Sequence, residues 1–248
     1  MNLSLDIGCL LLLALPTHAE STPSDQVGAD KAALAPLQAY VGSWKGVGQP
    51  RRGSSQGAWT EQAQWAWKFE AGRASLVFET PEGKYFSSGK LLPGDEQSTF
   101  VLMVQRRDTE GEMRFLGEID KNGQLVLLSK SDSAPDEPAR ISIRTVADDD
   151  RMLVLYEKRL PGDGRFARLA EVGYTRRDAS FAKGSGGPEC VVTGGLGTIE
   201  VSYQGKKYFV CCTGCRDLFN DDPEGVLADY RDRKAAEREK SKRPAPAK

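Results

Sequence analysis

The residues with the most chemistry in this 248-residue chain are its thiols. Four of the five cysteines fall between Cys190 and Cys215, and three sit within Cys211-Cys212-Thr213-Gly214-Cys215. Twenty residues separate Cys190 from Cys211, and three separate Cys211 from Cys215. Between them, Thr198 to Tyr203 and Lys207 to Val210 read as two short strands joined at Gln204-Gly205, a hairpin. Such a hairpin returns Cys190 to the neighbourhood of Cys211. A turn through Cys212-Thr213-Gly214 then presents Cys215 at the opening of a short helix, Arg216 to Asn220, whose free N–H groups favour thiolate. Asp222 and Pro223 have the residue types of an N-cap and first position of another helix. Thiolates converging from a hairpin and a helix start suit a soft or borderline ion, Zn(II) or Cu(I). The competing chemistry is oxidation: in an oxidising compartment Cys190 would pair with Cys211 or Cys215 as a disulfide.

This stretch resembles the YHS/TRASH family, small treble-clef-like domains associated with handling, sensing and resistance of heavy metals. The resemblance lies in the spacing of the three cysteines and in Tyr203, Gly205, Tyr208, Cys212, Phe219, Pro223 and Glu224, and it covers Glu189 to about Tyr230. It implies Cys190, Cys211 and Cys215 as metal ligands, with Cys212 a further candidate. Relatives often carry a second Cys or a Met soon after the first Cys, whereas Val191-Val192-Thr193-Gly194 offers neither. A tetrahedral site must therefore draw its fourth ligand from Cys212, a carboxylate such as Glu189, water or a partner protein. A three-thiolate site suits Cu(I), which accepts trigonal coordination. The ion is expected to be Zn or Cu(I), as a structural staple or as handled cargo.

What the chain lacks narrows the chemistry further. Its one histidine, His18, follows the apolar run Leu10–Leu15. That segment, residues 1–19, reads as a secretory signal peptide cut after Ala19. Its apolar run is shorter than the ~20 residues that span a bilayer. The expectation is an exported protein, periplasmic or secreted, with no stable membrane insertion after cleavage. The mature chain would then hold no imidazole, which excludes a Ser-His-Asp or Cys-His nucleophile, a histidine-ligated haem and any His-containing zinc site. The formal net charge is -1, so no nucleic-acid partner is expected. Gly194 to Gly197 is no phosphate loop, since no helix follows it, and no nucleotide is expected. No acid/base pair is recognisable, so the chain reads as a binder and not an enzyme, with no catalytic residues assigned.

Something must position the thiols, and most of the chain reads as strand. Trp59, Ala63, Trp65, Trp67 and Phe69 share one parity, with Gln62, Gln64 and Lys68 on the other. Ile141 and Ile143 alternate with Arg140, Ser142 and Arg144. Turn signals recur at Pro81-Glu82-Gly83, Pro93-Gly94-Asp95, Lys121-Asn122-Gly123, Asp148 to Asp150 and Pro161 to Gly164. This pattern predicts about ten antiparallel strands in a barrel or sandwich. Gly42-Ser43-Trp44 resembles the opening of lipocalin-like barrels, in which the Trp closes one end beside a basic residue of the last strand; Arg176 or Arg177 would be that residue. The opening is also similar to nitrobindin-type haem barrels, but without histidine no haem is carried over.

The expected organisation is mainly β: a flexible leader (20–33), a lipocalin-like antiparallel barrel (34–178), a Gly/Ser linker (179–188), a treble-clef-like hairpin/helix module (189–231) and a basic disordered tail (232–248). Trp44, Trp59, Trp65 and Trp67 are expected to pack the core. If the barrel is hollow, Trp44, Trp65 and Trp67 are the candidates to line a ligand site. Glu61 shares the parity of the aromatic face, yet it is expected near a strand end, in water. Two functions follow. The first is soft-metal sequestration, delivery or sensing, with a metal ion and a metal-handling protein as partners. The alternative is carriage of a small apolar ligand in the barrel, with the cysteine module a stapled appendage.

Overall fold

The computed structural model describes residues 23–107, 111–130, 136–162, 164–177 and 187–242. The expected signal peptide with its cut at Ala19, and most of the expected linker, lie outside them. Ten strands follow in chain order: β1 (Gly42–Gln49), β2 (Trp59–Glu70), β3 (Arg73–Glu79), β4 (Phe86–Pro93), β5 (Thr99–Arg106), β6 (Glu112–Ile119), β7 (Leu125–Ser129), β8 (Arg140–Val146), β9 (Arg151–Arg159) and β10 (Phe166–Arg176). Each pairs antiparallel with its chain neighbour. β10 returns to β1, with Trp44 opposite Arg176 and Gln49 opposite Glu171, and closes the barrel. The turns fall where Gly, Pro, Asn and Asp cluster. The architecture is thus an up-and-down barrel, with two strands more than the eight of a lipocalin.

Alternation explains which side chains fill it. On β2, Glu61, Ala63, Trp65 and Trp67 are buried while Thr60, Gln62, Gln64 and Lys68 are exposed. Trp65 meets the Phe78 ring at 4.7 Å and the edge of Tyr40 at 5.7 Å. Leu76, Leu91, Leu102, Phe115, Leu127 and Ile141 complete the packing, each at most 2% exposed. An interior cavity beside Trp65, Phe86, Met152 and Tyr174 measures about 20 Å³. That is room for roughly one water, far below the ~300 Å³ of a small-ligand pocket. Trp65 and Trp67, 4% and 2% exposed, are therefore packing residues of the interior. Trp44 is buried as well, but it also borders a separate, open pocket of about 290 Å³ with Ser43, Gln62, Gln64, Glu79 and Arg177.

One end of the barrel is plugged by the chain that enters it. A 3₁₀ segment, Ala35–Tyr40, drops Leu37 and Tyr40 into the core, and the Tyr40 hydroxyl donates to the Ile143 carbonyl at 3.1 Å. Trp44 donates from Nε1 to the Tyr40 carbonyl at 2.8 Å, and Arg176 lies over its ring at 4.2 Å. The same guanidinium donates to the Val41 carbonyl at 2.8 Å and the Ala39 carbonyl at 2.5 Å. Of the two arginines considered as partners of Trp44, Arg176 is the one that closes the end.

Two expectations about the flanks change. The leader is helical from its fourth residue: α1 (Pro23–Leu34) lies on β3 and β4. Its apolar residues form no stripe, so periodicity gave no sign of it. Leu34 at its end is fully buried, and one buried carboxylate anchors its middle. Asp30, 2% exposed, accepts from Arg73 at 2.7 and 3.1 Å, from the Ala74 N–H at 2.9 Å and from Gln26 at 3.0 Å. At the other end of the chain, the expected tail continues a helix as far as Lys242. Glu61 is also corrected. At 3% exposed it points inward, accepts from Trp59 Nε1 at 2.6 Å and from the Lys84 N–H at 3.3 Å, and receives the Tyr174 hydroxyl. Three donors satisfy the carboxylate that burial would otherwise leave unsolvated.

Burial opposes the Asp30 charge, but the hydrogen bonds from Arg73, Ala74 and Gln26 outweigh it and hold its pKa below the ordinary carboxylate value. A lowered folded pKa stabilises above the unfolded value of ~3.9 and is lost as pH falls through the folded one. Asp30→Asn is expected to cost about 1–2 kcal/mol at pH 7, read as a lower urea midpoint. The gap between variant and parent should narrow towards pH 3.

Candidate metal centre

The cysteine module is built as its spacing implies. β11 (Ile199–Tyr203) and β12 (Lys206–Val210) pair antiparallel. Their turn holds Gln204 and Gly205 at φ of 49° and 73°, the two left-handed residues that a tight type I′ hairpin requires. Cys190 bridges in parallel to Phe209, and the Val191 N–H donates to the Phe209 carbonyl at 2.9 Å. A turn closes behind it, with Gly194 N–H on the Cys190 carbonyl at 2.8 Å and Cys190 N–H on the Gly195 carbonyl at 2.7 Å. After β12 the chain bends at Cys212, the extended N-cap of α2 (Thr213–Asp221), and Cys215 occupies the first turn. Asp222 caps α3 (Pro223–Lys242) by accepting the Gly225 N–H at 2.9 Å. The Tyr208 ring lies 5.8 Å from that of Phe219, which is 1% exposed.

The sulfur atoms of Cys190, Cys211 and Cys215 all lie within 4.8 Å of one another, with Cys211 and Cys215 at 3.5 Å. The three residues are 0%, 8% and 0% exposed. An ion with metal–sulfur bonds of ~2.3 Å holds its sulfurs about 3.8–4.0 Å apart, in tetrahedral or trigonal geometry. The trio fits such an ion with changes in sulfur separation of at most about an ångström. The donor set is all thiol, the set that soft ions select.

Of the two groups considered for the fourth position, Glu189 is directed elsewhere, whereas Cys212 keeps hydrogen-bond contact with Cys211 and Cys215. Cys212 Sγ stands beside the trio and accepts the backbone N–H of Trp67 at 3.4 Å. Glu189 is held by α3, through Arg233 at 3.2 Å and Lys234 at 2.9 Å. What does face Cys211 is neutral: the Thr193 hydroxyl at 3.6 Å and the Gln38 amide nitrogen at 3.9 Å. Cationic groups stand further out. Arg233 donates to the carbonyls of Cys190, Val191 and Val192 at 3.2–3.4 Å, which fixes the Cys190 turn. Burial lowers the pKa of Lys31 of α1, with Asp229 foremost in opposing it and the nearby Cys215 and Cys190 adding to that opposition.

The four thiols share their protons unequally. The Cys211 and Cys215 thiols donate into Cys190, which lowers its pKa; Cys212 is lowered in the same way, Cys211 foremost. The donors move upward: Cys211 mainly through its bond to Cys190, and Cys215 first through burial. The cluster thus favours charge at Cys190 and Cys212 and holds the protons on Cys211 and Cys215.

The module does not stand apart from the barrel. Its buried residues, Val201, Val210, Phe219 and Val226 among them, belong to one core cluster with the barrel side chains. α2 lies on β2, and a Cβ on Gly214 would run into the Trp67 carbonyl oxygen. Sequence reasoning missed Gln38, Thr193, Lys31, Arg233 and the backbone role of Trp67. No spacing could have found Gln38, which lies 173 positions from Cys211.

No family model matches the chain, and a search of curated proteins finds no match.

Gly214→Ala is expected to force α2 away from β2, at the ~1–3 kcal/mol of an overpacked core. Faster amide exchange across Thr213 to Asp221, with the β4–β7 amides unchanged, is the expected outcome.

Proposed function

We propose that the protein binds a soft metal ion, Zn(II) or Cu(I), through Cys190, Cys211 and Cys215, and serves in sequestration, delivery or sensing of heavy metal outside the cytoplasm. The observation that carries this reading is three buried sulfurs within 4.8 Å of one another. The YHS/TRASH-like pattern of Tyr203, Gly205, Tyr208, Phe219, Pro223 and Glu224 supports it, and the apolar run before Ala19 supports export. No helix among the described residues is long and apolar enough to cross a membrane. A handled ion is favoured over a mere staple, because the module already shares the barrel's core and does not depend on metal alone for its anchorage. The burial of the thiols points to a metal-handling partner protein that opens the site for loading or release. The role is binding; no catalysis is assigned.

Metal analysis of protein purified under reducing conditions is expected to show about one equivalent of Zn or Cu, lost in Cys211→Ala/Cys215→Ala. Protein with no stoichiometric metal and its four clustered cysteines in disulfides would overturn the reading. Binding should also depend on pH. The raised Cys211 and Cys215 thiols carry protons that the ion must displace, so apparent affinity rises with pH, by about tenfold per unit for each proton released. Competition titrations at pH 6, 7 and 8 check the sign.

A further inference from the structure

We propose that the barrel completes the metal centre, with Gln38 as a positioning residue that holds Cys211 Sγ towards the ion while anchored on the Trp67 indole. This inference rests on the metal-binding reading above and extends it to a part of the chain outside the cysteine module. Gln38 Oε1 accepts Trp67 Nε1–H at 2.8 Å, and its Nε2 donates to Cys211 Sγ at 3.9 Å. The indole can only donate, so the amide oxygen must face it and the amide NH₂ must face the sulfur. The orientation is therefore fixed by chemistry at both ends. Trp67 acts twice, since its backbone N–H also donates to Cys212 Sγ at 3.4 Å. One barrel residue thus sets the position of two adjacent cysteines, one directly and one through Gln38.

Two glycines of the module make this approach possible. A Cβ on Gly195 would collide with the Gln38 amide, and one on Gly214 with the Trp67 carbonyl. Both close contacts fall on the same linked pair, Gln38 of the entry segment and Trp67 of β2. An N–H donor aimed at a metal-bound thiolate steadies its charge and orients the ligand, and removing such a partner typically weakens metal binding by ~10–100-fold. By reciprocity, an ion that tightens Cys211 also tightens Gln38 on Trp67 and the closed end of the barrel.

The test uses the full protein and two probes: Cu(I), titrated against a chromophoric chelator, and Co(II), read through its sulfur-to-metal charge-transfer band. Gln38→Met removes both hydrogen bonds at similar volume. Gln38→Glu keeps the acceptor for Trp67 and turns a carboxylate oxygen towards the sulfur, so it remains informative if the Met variant loosens the barrel end. Gln38→Met should bind Cu(I) about tenfold more weakly and move the Co(II) band to lower energy. Gln38→Glu should bind more weakly still. In the parent, Cu(I) should shift the Trp67 indole N–H resonance, identified by its loss in Trp67→Phe, and should leave it unmoved in Gln38→Met. Parent affinity and an unshifted Co(II) band in both Gln38 variants would overturn the proposal while the metal-binding reading stands. A parent protein that binds neither probe would overturn both.

Discussion

A barrel that closes on itself has no sheet edge to protect, but it has two ends to fill. Most of what is particular to this protein follows from how one end is filled. The residues that precede β1 fold back beneath it, and Trp44 is clamped between the Tyr40 carbonyl and the Arg176 guanidinium. That clamp fixes the 3₁₀ segment, and the segment carries Gln38 to the Trp67 indole. The cysteine module is seated on the same end, against the backbone of Trp67. Barrel, entry segment and module thus meet at one tryptophan.

The chemistry of the thiols depends on this seating as much as on their spacing. A hairpin and a helix start bring three sulfurs together, and burial keeps water from competing for them. Burial alone would favour three neutral thiols, as the rise at Cys215 shows. Neighbouring thiols offset it at Cys190, where Cys211 and Cys215 donate. Around them Thr193 and Gln38 face Cys211, Arg233 fixes the Cys190 carbonyl, and Lys31 lies nearby. Two of these, Gln38 and Lys31, come from segments that precede the barrel. The centre is therefore an interface between distant parts of the chain and not a self-contained finger.

Much of the fold was legible in the sequence. The alternation of β2, the turn residues and the approximate number of strands rest on period two and on the φ angles that Gly, Asn and Asp tolerate. The cysteine trio was legible for a similar reason, since a hairpin and a helix start are local structures. Other features were not. Helix α1 lacks an apolar stripe; it is held by Asp30, bonded to Arg73 and Ala74 at 43 and 44 positions away, and by the burial of Leu34 at its end. Glu61 shared the parity of the interior, yet only the convergence of Trp59, Lys84 and Tyr174 makes a buried carboxylate tolerable there. Whether the barrel was hollow could not be read at all, because it depends on how Leu, Phe and Trp side chains interlock across strands.

By itself, then, the sequence determined the β architecture and the three thiols that can meet, while the closure of the barrel end by Trp44 and a last-strand arginine was what the lipocalin-like resemblance implied. These follow from short-range rules: side-chain period, turn geometry and spacing. Only the tertiary structure decided that the barrel interior is filled, that Glu189 turns to α3 while Cys212 stays beside Cys211 and Cys215, and that Gln38 and Trp67 reach the sulfurs. Those outcomes depend on which groups meet across more than a hundred residues, where no local periodicity carries information and packing alone selects the partner.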